Sequence, residues 1–102
     1  MAKLDGKTAL ITGAAVGLGA GIAEVYAKYG ARLCLVDVDA AVEETAARLR
    51  QEYGAEIITA MANVADKAQM QAAAAKTAEQ FGRLDIACCN AGVCRLAPFE
   101  EM

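Results

Sequence analysis

The fold of this chain is decided by the stretch Thr12-Gly13-Ala14-Ala15-Val16-Gly17-Leu18-Gly19. An apolar run, residues 8–11, precedes it, and a helical pattern begins near Leu18. A strand that ends in a glycine turn and then begins a helix points unpaired main-chain N–H groups at whatever lies above the turn. The helix N-terminus adds about half a positive charge. We therefore predict a phosphate site over residues 13–19, as part of a dinucleotide site.

Length, charge and composition limit the class of protein. The chain has 102 residues, 57% of them apolar, which is enough for one domain with a packed core. Its net charge is −3 with acidic residues spread along the chain, which argues against nucleic acid or an acidic membrane surface as a partner. The chain shows no signal-peptide pattern and no apolar run of membrane length. We expect a cytoplasmic protein.

Missing residue types exclude several kinds of site. The sequence contains no histidine, no serine and no tryptophan, so a histidine base and a serine nucleophile are ruled out in these residues. No C-x-x-C spacing occurs, which predicts small buried apolar side chains and no metal or redox site. The four cysteines are Cys34, Cys88, Cys89 and Cys94.

Hydrophobic periodicity predicts strands and helices in strict alternation. Strands are expected at 7–12, 32–37, 56–61 and 84–89. Asp39 is the expected N-cap of the second helix, and Asp66 with Gln69 resembles a capping box for the third. Each helix ends in an aromatic residue followed by glycine: Tyr29-Gly30, Tyr53-Gly54 and Phe81-Gly82. In the first helix the apolar residues Leu18, Ile22, Val25, Tyr26 and Tyr29 fall at helical spacing. The inner faces are predicted to hold Val42, Ala46, Leu49 and Tyr53 in the second helix, and Met70, Ala73, Ala74, Thr77 and Phe81 in the third.

This β-α-β-α-β-α-β order predicts an α/β fold. Right-handed crossovers give a parallel sheet in the order 3-2-1-4 with helices on both faces. That arrangement is a Rossmann-like three-layer fold and the first half of a doubly wound fold. Strand four would then be an uncovered edge, and the last residues read as the start of a further helix. We therefore expect residues 1–102 to form a nucleotide-binding half-domain of a longer enzyme.

Asp37 ends the second predicted strand, where a carboxylate can accept hydrogen bonds from both hydroxyls of an adenosine ribose. A 2′-phosphate there would meet repulsion of about 4 kcal/mol near 4 Å at an effective dielectric of about 20. Neither the loop nor Val38 offers a compensating cation. The sequence therefore favours NAD over NADP.

The turn Asn90-Ala91-Gly92 ends the fourth predicted strand, beside strand one. The strand order reverses there, and ligands of open α/β sheets bind in that crevice. An ordinary turn would also suit asparagine and glycine.

Together these motifs resemble the N-terminal part of the short-chain dehydrogenase/reductase family. The cofactor motif of that family matches Thr12-Gly13-x-x-x-Gly17-x-Gly19. The acidic residue of its NAD-preferring members matches Asp37, and its N-A-G motif matches Asn90-Ala91-Gly92. The resemblance covers essentially the whole chain. It implies hydride transfer between NAD and a secondary alcohol or ketone, in an enzyme that forms dimers or tetramers.

By this resemblance, Gly13, Ala15, Val16, Gly17, Leu18 and Gly19 would line the pyrophosphate and nicotinamide side of the cofactor. Asp37 and Val38 would hold the adenosine ribose and its surroundings, Asn63 and Val64 would flank the adenine, and Asn90, Ala91 and Gly92 would support the nicotinamide ribose. The family often has aspartate where Asn63 stands, and a second asparagine where Cys89 stands. An amide oxygen at Asn63 can still accept from the adenine amino group.

The family's catalytic groups are a serine, a Tyr-x-x-x-Lys pair and a further asparagine, and none occurs in these residues. Four positions after Tyr26, Tyr29 and Tyr53 stand Gly30, Leu33 and Ile57. We expect no catalytic residue in this chain. One alternative is a non-catalytic nucleotide-binding module. Another is an S-adenosylmethionine-dependent methyltransferase, since residues 17–21 satisfy G-x-G-x-G, although Thr12-Gly13 and residues 90–92 argue against it. A P-loop is excluded because no Gly-Lys-Ser/Thr follows the turn.

Overall fold

The computed structural model describes residues 6–14, 17–63 and 66–88. In chain order its elements are β1 (Thr8–Thr12), α1 (Gly17–Lys28), β2 (Arg32–Asp37), α2 (Ala41–Tyr53), β3 (Ile57–Met61), α3 (Lys67–Phe81) and β4 (Ile86–Cys88). The strands are parallel and lie in the order β3-β2-β1-β4, as the sequence predicts. In the part of the chain described, no helix has the length and apolar character needed to cross a bilayer.

Helices cover both faces of the sheet because alternate residues of the buried strands point to opposite sides. On one face, α1 and α2 pack on Ala9, Ile11, Leu33, Leu35 and neighbouring side chains. On the other face, α3 is the one described helix that packs on Leu10, Cys34 and Val36, which contact Met70, Ala73 and Ala74. The central strands β1 and β2 are therefore apolar on both sides, and the structure has three layers.

The large apolar residues of α1 do not all face the sheet. Leu18 and Val25 are 71% and 49% exposed, while Gly19, Ala23 and Ala27 are buried against the sheet. Small side chains let the helix lie close to β1 and β2. Of the large apolar side chains, Ile22 and Tyr26 pack against the same core, so the helical spacing identified the helix but not the small residues that lie nearest the sheet.

The helix ends agree with the sequence except that α1 ends at Lys28, before Tyr29, and that α2 has a different start. The N-cap of α2 is Ala40, without a side-chain hydrogen bond, and the predicted cap Asp39 lies one residue earlier. The Asp39 carboxylate still accepts the N–H of Ala41 at 2.9 Å. Gly54 and Gly82 have φ of 66° and 81° at the ends of α2 and α3, as left-handed caps require.

The outer edge of β3 is covered by cationic side chains. The carbonyl of Glu56 accepts a main-chain N–H of β2. Because successive carbonyls of a parallel strand point in opposite directions, those of Ile57 and Thr59 both point away from β2, and side chains reach both of them. Two nitrogens of Arg50, on α2, donate to the Ile57 carbonyl at 3.1 and 2.7 Å. Lys76, on α3, donates to the Thr59 carbonyl at 2.7 Å. The two helices thus supply hydrogen-bond partners to an edge strand.

Candidate functional site

The ends of three strands bring the predicted site residues to one edge of the sheet. Strands β1, β2 and β3 are parallel and end at Thr12, Asp37 and Met61. The register places Thr12 opposite Val36 and Asp37 opposite Met61. Loops that leave this carboxyl edge are where open α/β sheets bind ligands.

The glycine turn combines left-handed main chain with open space. Gly13 and Gly17 have φ of 63° and 67°, which side-chain-bearing residues rarely adopt. The N–H of buried Ala14 donates to the Val36 carbonyl at 3.3 Å, so the turn is fixed to β2. At Gly17, the first residue of α1, a Cβ would meet nothing within 4 Å.

The N-terminus of α1 is suited to an anion. No acidic residue lies in its first turn, so no carboxylate opposes the positive end of the helix dipole. Gly19 is buried in that same turn. The predicted phosphate position is consistent with this geometry, while Ala15 and Val16 lie outside the described residues.

Asp37 is held by the main chain around it. It is half-buried at the end of β2, and its Oδ1 accepts the N–H of Asp39 at 3.0 Å. Its main-chain carbonyl accepts the N–H of Ala62 at 3.1 Å. The carboxylate therefore stands at a defined place between the glycine turn and the segment that follows β3.

Exposed apolar side chains lie near the same edge. Val38 follows Asp37 and is 63% exposed, and Met61 at the end of β3 is 53% exposed. Leu18, in the first turn of α1, is the most exposed large apolar side chain of the described residues. Three exposed apolar side chains therefore lie at the edge that carries the predicted site residues. Sequence reasoning missed Met61, although its place at a strand end was a usable signal.

Asn63 is joined to α3 by its main chain. It is exposed, and its N–H donates to Oε1 of Gln69 at 2.8 Å. The capping-box pattern identified Gln69 only as a helix-start residue and gave no hint of this contact. Of the other predicted site residues, Val64, Asn90, Ala91 and Gly92 lie outside the described part of the chain.

The tyrosines lie away from this edge. Tyr26 is in the last turn of α1, Tyr29 just follows that helix, and Tyr53 ends α2, so all three are at the amino edge of the sheet. Tyr53 donates its hydroxyl to Glu24 at 2.8 Å, and this bond to a carboxylate raises the pKa of Tyr53. Residues 6–14, 17–63 and 66–88 contain no group of three His, Cys, Asp or Glu able to hold a metal ion. The arrangement can bind phosphate and sugar hydroxyls.

Comparisons with known proteins agree on one family. The family model described as short chain dehydrogenase matches residues 7–102. D-threitol dehydrogenase of Mycolicibacterium smegmatis is 52% identical over 101 residues, which are 98% of this chain and 38% of that protein.

Two solved structures have a similar fold. L-sorbose reductase of Gluconobacter frateurii, complexed with NADPH and L-sorbose, aligns with a TM-score of 0.84 and 33% identity over 90% of this chain and 35% of that one. Carveol dehydrogenase of Mycobacterium avium, in complex with NAD, aligns with a TM-score of 0.83 and 33% identity over 91% of this chain and 38% of that one. The chain thus spans 35% to 38% of the length of these relatives.

Proposed function

This chain belongs to the short-chain dehydrogenase family, and we propose that it supplies the NAD-binding part of an oxidoreductase. The reaction is hydride transfer between NAD and a secondary alcohol or its ketone. The observation that carries the cofactor assignment is Asp37 at the end of β2, beside the glycine turn. D-threitol dehydrogenase and L-sorbose reductase are relatives whose names specify polyhydroxy compounds, which supports a polyol as the substrate class.

The described residues fit such a cofactor. The open space above Gly17 and the positive end of α1 suit the pyrophosphate. The Asp37 carboxylate suits the adenosine ribose hydroxyls, and the exposed side chain of Val38 suits the adenine ring. NAD, when bound, accepts or supplies the hydride, while these residues bind and orient it. We assign the rest of the site to Gly13, Ala15, Val16, Leu18, Gly19, Asn63, Val64, Asn90, Ala91 and Gly92.

Charge supports NAD over NADP. The added 2′-phosphate of NADP would lie next to the Asp37 carboxylate, and at 4 Å their repulsion is about 4 kcal/mol at an effective dielectric of about 20. That energy corresponds to a loss of several hundredfold or more in affinity. The family includes structures with either cofactor, so residue 37 is the position to test.

The test is a titration of NADH and of NADPH into wild-type protein and the Asp37→Asn variant. We expect wild-type protein to bind NADH several hundredfold more tightly, and the variant to lose most of that preference because asparagine keeps the size and removes the charge. Asp39→Asn is the matched control, since the Asp39 carboxylate contacts main chain in the same loop. Equal wild-type affinities, or the same preference in the Asp37 variant, would contradict the assignment.

The catalytic part, by this proposal, lies in a longer protein that is cytoplasmic and works as a dimer or tetramer. Oxidation of D-threitol and reduction of L-sorbose, followed at the nicotinamide absorbance, test the activity. We expect residues 1–102 alone to bind NADH without turnover. The alternative is a nucleotide-binding module without catalysis. NADH binding by the longer protein, with no turnover of any alcohol or ketone, would favour that module.

A further inference from the structure

We propose that Gln69 is a positioning residue for the adenine end of the cofactor site, acting through the main chain of Asn63. The inference rests on the proposed function, because it assigns Asn63 to the adenine. Gln69 lies in the first turn of α3, and its role would be to hold Asn63 in place and not to bind the cofactor itself.

Gln69 and Asp66 fix the Asn63 main chain on both sides. The Asn63 N–H donates to Gln69 Oε1 at 2.8 Å, and the Asn63 carbonyl accepts the N–H of Asp66 at 2.9 Å. Gln69 Nε2 in turn donates to Asp66 Oδ2 at 3.1 Å. The Gln69 side chain therefore has both its oxygen and its nitrogen engaged, which restricts it to one orientation.

The same segment is joined to the ribose-binding residue. Ala62, directly before Asn63, donates its N–H to the Asp37 carbonyl at 3.1 Å. Asp37 and Asn63 are thus positioned by one continuous set of main-chain hydrogen bonds, with β2 at one end and α3 at the other. A contact between the Asn63 amide and the adenine amino group needs this placement to within about half an ångström.

The side chain of Gln69 can be tested separately from the helix cap. The cap uses the Gln69 main-chain N–H, which donates to Asp66 Oδ1 at 3.1 Å, and a substitution keeps that bond. Gln69→Met has nearly the size and shape of glutamine and removes both side-chain hydrogen bonds. Gln71→Met, at an exposed position on the same helix, is the matched control.

The experiment compares two dinucleotides that differ at the adenine amino group. Reduced nicotinamide purine dinucleotide has hydrogen in place of that amino group, so the Asn63 amide can neither accept a hydrogen bond there nor donate one. Both are titrated into the wild-type protein and into both variants. We expect Gln69→Met to weaken NADH binding about fivefold, the value of one net hydrogen bond. Binding of the purine analogue by Gln69→Met should change less than about twofold, and Gln71→Met should change binding of neither dinucleotide.

Each other outcome has a definite meaning. Equal weakening of both dinucleotides would show that Gln69 only supports the fold, and unchanged NADH binding would show that it does not position Asn63. Either result overturns the inference and leaves the proposed function intact. Failure of the wild-type protein to bind either dinucleotide would refute the proposed function, and the inference with it. Thermal unfolding of each variant, measured in parallel, confirms that the compared proteins are folded.

Discussion

Two glycines in α1 provide a test of what the glycine turn requires. Gly17 has φ of +67°, whereas Gly21, four residues later inside α1, does not have a positive φ. At both positions an added Cβ would meet nothing within 4 Å. Alanine therefore introduces no steric clash at either site, and the two substitutions differ in main-chain conformation.

The expected effects on stability have opposite signs. At Gly17, alanine in the left-handed region costs about 1–2 kcal/mol, partly offset by about 0.4–1 kcal/mol from the lower entropy of the unfolded chain. We expect a net loss of roughly 1 kcal/mol. At Gly21, alanine in a helix interior should stabilise by about 0.5–1 kcal/mol.

Urea unfolding of wild-type protein and both variants measures the two stability changes, and NADH titration measures binding. Gly17→Ala should also weaken NADH binding about tenfold or more, because its methyl group occupies the space assigned to the pyrophosphate. Gly21→Ala should leave binding unchanged. A Gly17→Ala variant as stable as the wild type, or two stability changes of equal sign, would refute the claim that the turn needs a left-handed residue at position 17.

Two further predictions concern the sheet edges. Hydrogen bonds from Arg83 and from the Thr8 N–H lower the pKa of Asp85 in the folded protein. The Asp85 carboxylate therefore stabilises the fold at pH values above its unfolded pKa of about 3.9, and this stabilisation is lost as the pH falls through the lower pKa of the folded state. Asp85→Asn should lower stability by about 1 kcal/mol at pH 7, with the difference shrinking below about pH 4 in urea titrations; a pH-independent difference would contradict this. Replacing Arg50 and Lys76 by methionine uncovers the β3 carbonyls, and should speed aggregation on heating in light-scattering measurements relative to Lys67→Met; equal rates would show that the cations do not protect the edge.

The order of the elements and the sheet topology could be predicted because several signals agreed. The aromatic-Gly pairs placed the helix ends, and the apolar runs placed the strands. The position of Asp37 and of the glycine turn at one edge then followed from parallel topology, which brings every strand end to the same side.

The sequence could not predict which residues of different helices and strands contact one another. Ala23 and Ala27 face the sheet because the helix lies close to it, and this closeness depends on β1 and β2 as much as on α1. Gln69 was assigned to its own helix start, yet its oxygen bonds to Asn63, six residues earlier. Met61 is exposed because no described element covers the end of β3. Each of these depends on where a second element lies.

The reactivity of the Cys34 thiol can report the separation of α3 from the sheet. The thiol is fully buried under α3, and burial raises its pKa, so little thiolate is present at neutral pH. A thiol reagent can reach it only after α3 separates from the sheet. In a variant whose other cysteines are alanine, the labelling rate at Cys34 would therefore measure how often α3 separates from the sheet. NAD bound at the carboxyl end of β2 should lower this labelling rate in proportion to the fraction of protein that holds NAD.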